Sequence, residues 1–171
     1  IIDKTKAFEL AKKYFEIFVV SKEYITESNT SRINVLESYI KCLIECDQYD
    51  EAHKYCEELL SLDSGVENAH RFLVIIYIHL KKYKEAICKC EYLIIHTRDT
   101  ENHIFHFLKA QCKYAIAVFE HEALSAIDIC KKILEEKEYL DVVFTIGKMY
   151  ENIGMYNDMK FYYLKACYIY P

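Results

Sequence analysis

The side chains best able to do chemistry in this chain are paired histidines and paired cysteines. His103-x-x-His106 sets two imidazoles three residues apart, on one face of a helix, where they could offer two nitrogens to a metal. A structural zinc site takes four Cys or His ligands, and only His96 and Cys112 are near additions. The ligand count argues for ordinary helix-face histidines, and no metal is expected. Cys88-x-Cys90 would be a redox pair only with two intervening residues and a preceding strand. Two residues apart on a helix, these thiols point to different sides. With Gly65, Gly147 and Gly154 the only glycines, no Gly-rich phosphate loop can form. Gly-x-Ser-x-Gly, His-Glu-x-x-His and EF-hand patterns do not occur either. No catalytic residue and no cofactor is expected, and the chain does not read as an enzyme.

Elements that carry no chemistry must be there to present a surface, and composition says which elements they are. Three Gly and one Pro in 171 residues leave too few turn formers for a sandwich, a barrel or a doubly wound sheet. An all-α chain is expected, long enough to bury a sizeable core. The net charge of −5 comes with no basic stripe, only pairs such as Lys81-Lys82 and Lys131-Lys132, so nucleic acid is not an expected partner. The longest apolar run, 72–78, is far short of a membrane span. Cys56, Cys90 and Cys130 fall at apolar helix positions and read as small buried hydrophobes. With eight free thiols expected, a reducing cytoplasmic or nuclear compartment follows. The first residue is Ile1, so the sequence reads as part of something longer.

An internal repeat organises the chain. Tyr49 and Tyr83 are 34 residues apart, and so are Ala52 and Ala86. Leu36, Tyr39, Ile40 and Leu43 follow the i, i+3, i+4, i+7 spacing of one helix face, and Leu73, Ile76, Tyr77 and Leu80 repeat it. Ser64 to Glu67 reads as a capping box, and Gly154 as the left-handed residue that ends a helix. The last segment carries Gly147, Tyr150, Gly154, Tyr156, Tyr163, Ala166 and Pro171. These steps, with the 34-residue period, resemble the tetratricopeptide repeat family.

The resemblance implies a right-handed superhelical solenoid of antiparallel helix pairs. Residues 1–32 form an N-terminal helix, with Ala7, Phe8, Ala11, Tyr14, Phe15 and Phe18 on its apolar side, and a polar loop over 21–31. That helix is a cap or the second helix of an earlier repeat. Residues 33–171 form four helix pairs. The third is irregular, because Ala86 to Ala126 is 40 residues; the six extra residues are expected in a longer first helix near 114–119. The aromatic steps Tyr39, Tyr49, Tyr77, Tyr83, Tyr150, Tyr156 and Tyr163 are expected to pack.

In such domains the first helices line a partner-binding groove. Carried over, it consists of Asn34, Glu37, Lys41, Asn68, Arg71, Ile75, Gln111, Phe144, Lys148 and Asn152. The resemblance implies a protein–protein interaction scaffold, an arm or subunit of a larger assembly such as the anaphase-promoting ubiquitin ligase. The alternatives are a free-standing peptide receptor of the co-chaperone kind and a regulatory domain attached to an enzyme. The step that holds a clamp Asn in carboxylate-binding co-chaperones carries Ser38, Phe72, Cys112 and Thr145, which argues against that subfamily. The C-terminal helix is apolar nearly all round. Tyr162, Tyr163, Ala166, Ile169 and Tyr170 are expected to form a stacking or self-association face, for a homodimer or for further repeats.

Overall fold

The computed structural model describes residues 4–21, 24, 27–97, 102–117 and 120–169. Of the positions singled out above, the side chain of Ala7 and the whole of Tyr170 and Pro171 lie outside the description. The described elements are all helices: α1 Lys4–Val19, α2 Asn29–Glu45, α3 Tyr49–Leu62, α4 Glu67–His79, α5 Tyr83–His96, α6 Asn102–Ile116, α7 Glu120–Glu136, α8 Leu140–Asn152 and α9 Tyr156–Ile169. The chain divides into two compact units, Ile1–Lys82 and Tyr83–Pro171.

In the first unit the 3.6-residue pattern does what its spacing requires. Leu36, Tyr39, Ile40 and Leu43 of α2 are fully buried, against Ala52, Cys56 and Leu59 of α3 and Leu73 and Ile76 of α4. Each such large side chain contributes roughly 1.5–3 kcal/mol by leaving water. Polar atoms tie the helices at the rim. Tyr39 donates its hydroxyl proton to Glu51 at 3.2 Å, and Tyr49 stacks on His79 at 4.3 Å. The segment before α2, expected to be a polar loop, carries a core residue. Tyr24 is buried, donates to Glu58 at 3.1 Å and lies under the Arg32 guanidinium.

The second unit has its own core of Ala110, Ile127, Cys130, Ile133, Val142, Ile146, Met149 and Tyr150. Tyr114 of α6 donates to the Met149 carbonyl of α8 at 3.0 Å, and Lys109 of α6 pairs with Glu91 of α5 at 2.7 Å. Gly147 lets α8 and α9 approach closely, since a Cβ there would sit 2.8 Å from the Tyr163 ring.

Three helix ends share one geometry. After α8, Gly154 is left-handed at φ 79°, with Met155 N–H donating to Tyr150 C=O and Gly154 N–H to Glu151 C=O. This is a Schellman motif, as expected for Gly154. Asp47 at φ 58° and Lys81 at φ 57° hold the same position after α2 and α4, with the same paired bonds. These two were not legible, because neither residue announces a left-handed turn.

Three expectations are corrected. No capping box forms at Ser64: α4 starts at Glu67 with Val66 as its cap, and Glu67 turns to Arg71. Asp63, not Ser64, accepts a turn N–H, that of Gly65 at 2.8 Å. The six extra residues of the third repeat are spread out. The helix bounds give one to the α5–α6 connection, two to α6 and three to the front of α7. Tyr156, expected to pack, is 66% exposed.

Candidate functional site

The first helices of the first two repeats are α2 and α4, both in the first unit. Their shared face is built by one inter-helix bond, Asn68 Nδ2 donating to Glu37 Oε1 at 3.1 Å. One turn on from Glu37 stands exposed Lys41, and one turn before it exposed Asn34. Asn34 has its carbonyl bonded by Ser38 Oγ at 2.9 Å. On α4, Arg71 follows Asn68 and is held by Glu67, its Nε 2.9 Å from Oε1. Ile75, at 38% exposure, is the apolar contact of the set. Six of the ten groove residues therefore lie on the two helices that this bond joins. They offer amide, carboxylate, ammonium and guanidinium groups around an aliphatic step.

The other four belong to the second unit. Gln111 of α6 is half-buried. On α8, Phe144, Lys148 and Asn152 are one turn apart and exposed, with Phe144 at 52% and its ring 5.4 Å from Tyr163.

The C-terminal positions separate by direction. Ala166 is buried, and Tyr162 stacks on Tyr150 at 5.7 Å. Tyr163 packs against Gly147 and donates to Glu151 at 2.8 Å, a bond that pushes its own pKa up. Ile169 is half-buried. Past Tyr156, the large apolar residues that α9 exposes are Phe161, Leu164 and Tyr168. They take the steps at which α3 carries Lys54, Glu57 and Ser61.

The histidine pair lines a cleft of about 530 Å³ between α6 and α7, together with Lys109, Ile129, Lys132, Ile133 and Glu136. His103 stacks on Tyr139 at 4.5 Å. Burial, then the nearby Lys109 charge, lowers the His106 pKa. Among the described residues no group of three His, Cys, Asp or Glu is placed to hold a metal ion. No helix in the described residues is long and apolar enough to cross a membrane.

A tetratricopeptide repeat profile matches residues 140–171, the segment holding α8, Gly154 and α9. The chain resembles the tetratricopeptide repeat family. No curated protein matches the sequence. Solved structures match the tetratricopeptide-like fold. MamA residues 41 to the end, from Desulfovibrio magneticus RS-1, is 14% identical at TM-score 0.73, covering 94% of this chain and 84% of that one. Another MamA crystal structure is 16% identical at TM-score 0.70, covering 98% and 94%. The nearly identical TPR-like repeats of a kinesin-light-chain-type protein from Podosopora anserina are 12% identical at TM-score 0.74, covering 95% and 86%. At these identities the likeness establishes an all-α, tetratricopeptide-like helical repeat fold.

Proposed function

We propose that this chain is a protein–protein interaction scaffold, an arm or subunit of a larger assembly in the cytoplasm or nucleus. Its first-helix face holds a polypeptide partner. The observation that carries this reading is the Asn68–Glu37 bond, which links the exposed faces of α2 and α4 above their shared core, with Lys41 and Ile75 exposed on those helices. A surface ordered before binding loses little conformational entropy when a partner arrives. Amide and charged groups beside an aliphatic step suit a peptide's side chains and backbone. The second unit by itself carries Phe144, Lys148 and Asn152, exposed one turn apart on α8.

A co-chaperone clamp for terminal carboxylates is disfavoured. Of the clamp steps, Cys112 is buried, Phe72 packs against the first core and the Ser38 hydroxyl is turned to its own helix. The net charge of −5 disfavours nucleic acid.

The test is affinity purification of the full chain from cells, with quantitative mass spectrometry, for the native sequence and for Lys41→Glu with Ile75→Glu. A defined partner set that falls at least about tenfold in the double variant, at unchanged circular dichroism, is the expected result. An identical set in both samples overturns the groove.

A further inference from the structure

We infer that α1 carries a second docking surface, separate from the groove, whose occupant is an amphipathic helix with acidic residues along one edge. Leu10, Tyr14 and Ile17 are 66%, 70% and 74% exposed, and they recur at i, i+4 and i+7 on one side of α1. The adjoining side is used: Phe15, Phe18 and Val19 pack on the first core, with Phe15 6.1 Å from Tyr39 and Phe18 one turn on from Tyr14. A surface helix in a folded unit normally presents one apolar side and one polar side. This one carries large apolar residues well past the side that packs.

The chain itself shows what covers such a face. Moved forward by 41 residues, α1 falls in register with α3: Ala11 on Ala52, Phe15 on Cys56, Phe18 on Leu59. In that register Leu10, Tyr14 and Ile17 correspond to Glu51, Tyr55 and Glu58. On α3 those three face the antiparallel helix α2 and the segment before it. Glu51 accepts from Tyr39, the Tyr55 ring meets the Tyr39 ring edge-on at 4.8 Å, and Glu58 accepts from Tyr24. The exposed stripe of α1 therefore stands where α3 meets an antiparallel helix, one that offers a large side chain as α2 offers Tyr39.

Charge selects among such helices. At about 100° per residue, exposed Lys6 and Lys13 lie directly beside Leu10 and Ile17. Glu9 and Glu16 come a further step round, away from the stripe. A helix seated on the stripe meets the lysines first, so carboxylates at its edge are favoured and ammonium groups are repelled. The groove of α2 and α4 takes no part, so either surface can fail without the other.

The experiment uses the full chain and two fluorescein-labelled, helix-stapled 18-residue peptides with Leu at i, i+4, i+7 and i+11. One carries Glu and the other Lys beside the leucines. Fluorescence anisotropy is expected to show saturable binding of the Glu peptide, with the Lys peptide at least about tenfold weaker. Lys6→Glu with Lys13→Glu is expected to reverse the preference, and Leu10→Ser with Ile17→Ser to abolish both without changing circular dichroism. Equal binding of both peptides, a charge-reversed protein with unreversed preference, or undiminished binding by the serine variant overturns the proposal. Binding to vesicles of phosphatidylserine and phosphatidylcholine with no binding of either peptide also overturns it, because α1 then meets lipid instead.

Discussion

Lys81 stands where the backbone is left-handed, a conformation that brings a Cβ too close to the following carbonyl. Gly154 meets the same turn without that cost. The Lys81 side chain is exposed and no packing holds it there. Lys81→Gly is therefore expected to stabilise the protein by about 0.5–1 kcal/mol, the strain removed being partly offset by the added freedom of glycine in the unfolded chain. Chemical denaturation measures it, and a loss of stability would contradict the assigned helix end. Asp47 is a weaker subject, because its carboxylate also accepts from Tyr49 at 2.7 Å. Tyr24 gives a pH-dependent counterpart. Burial, together with the neighbouring Glu58 charge, pushes its pKa from 10 to about 12, against the lowering effect of Arg32. A phenol raised in the folded state keeps its proton where the unfolded chain has lost it. Its contribution is intact below pH 10 and is lost as pH rises through about 12. Tyr24→Phe is expected to flatten the fall in stability over that window, measured by denaturation at pH 9 to 12.

At the scale of the helix pair, α8 and α9 are joined by an exchange of volume between Gly147 and Tyr163. Glycine inside a helix costs about 1 kcal/mol relative to alanine, so Gly147→Ala would be favourable on propensity alone. The added Cβ would lie 2.8 Å from two atoms of the Tyr163 ring. That ring cannot swing away cheaply, since its hydroxyl is bonded to Glu151 and its face meets Phe144. Overpacking therefore outweighs propensity, and a net loss of about 1–2 kcal/mol is expected. In a Tyr163→Ala background the same change is expected to become stabilising, so a double-mutant cycle by thermal denaturation isolates the contact. The pairing was legible because small-residue and aromatic steps recur at fixed offsets: Tyr39, Cys56, Cys90 and Cys130 all reached the core positions that the spacing gave them. What was not legible is local. Ser64 caps nothing, and Asp63, one residue earlier, takes the Gly65 turn N–H instead, because both side chains can reach a nearby N–H and sequence does not rank them. Tyr24 was hidden in a polar stretch, where a single aromatic shows no period. The exposed side of α9 could not be read from a helix that is apolar nearly all round, since periodicity then assigns no inside. The 34-residue step puts Asn34, Glu37, Lys41, Asn68, Arg71 and Ile75 on two helices one repeat apart, but no sequence pattern shows the Asn68–Glu37 bond between those helices.

Across the whole molecule the eight cysteines form a built-in set of probes, because they are spread over both units and graded in exposure. Cys56, Cys90 and Cys130 are fully buried, Cys42 and Cys112 nearly so, Cys46 is half-buried, and Cys88 and Cys167 face solvent. Only the thiolate reacts with a disulfide reagent, so burial suppresses the reaction twice, by access and by acidity. Desolvation first, in each case, pushes the thiols of Cys56, Cys90 and Cys130 from 9 to about 12 and that of Cys112 to about 11. Reaction with an aromatic disulfide at pH 8 is therefore expected to give two fast equivalents, one slower, and five that appear only as the folded units open. Raising the pH to 9 does little for Cys56, Cys90, Cys112 and Cys130 through their own ionisation, since these four remain protonated well above it. The linkage has a definite sign. Thiols that hold protons in the folded state and release them in the unfolded one stabilise the fold below pH 9. That stabilisation drains away as pH rises toward 12. The slow phase is expected to accelerate steeply above pH 9 because opening becomes easier, in parallel with a falling denaturation midpoint. Eight equivalents in one fast phase at pH 8 would show that these cysteines are not core residues. Fewer than eight after unfolding without reductant would show that some are paired, and would remove the argument for a reducing compartment.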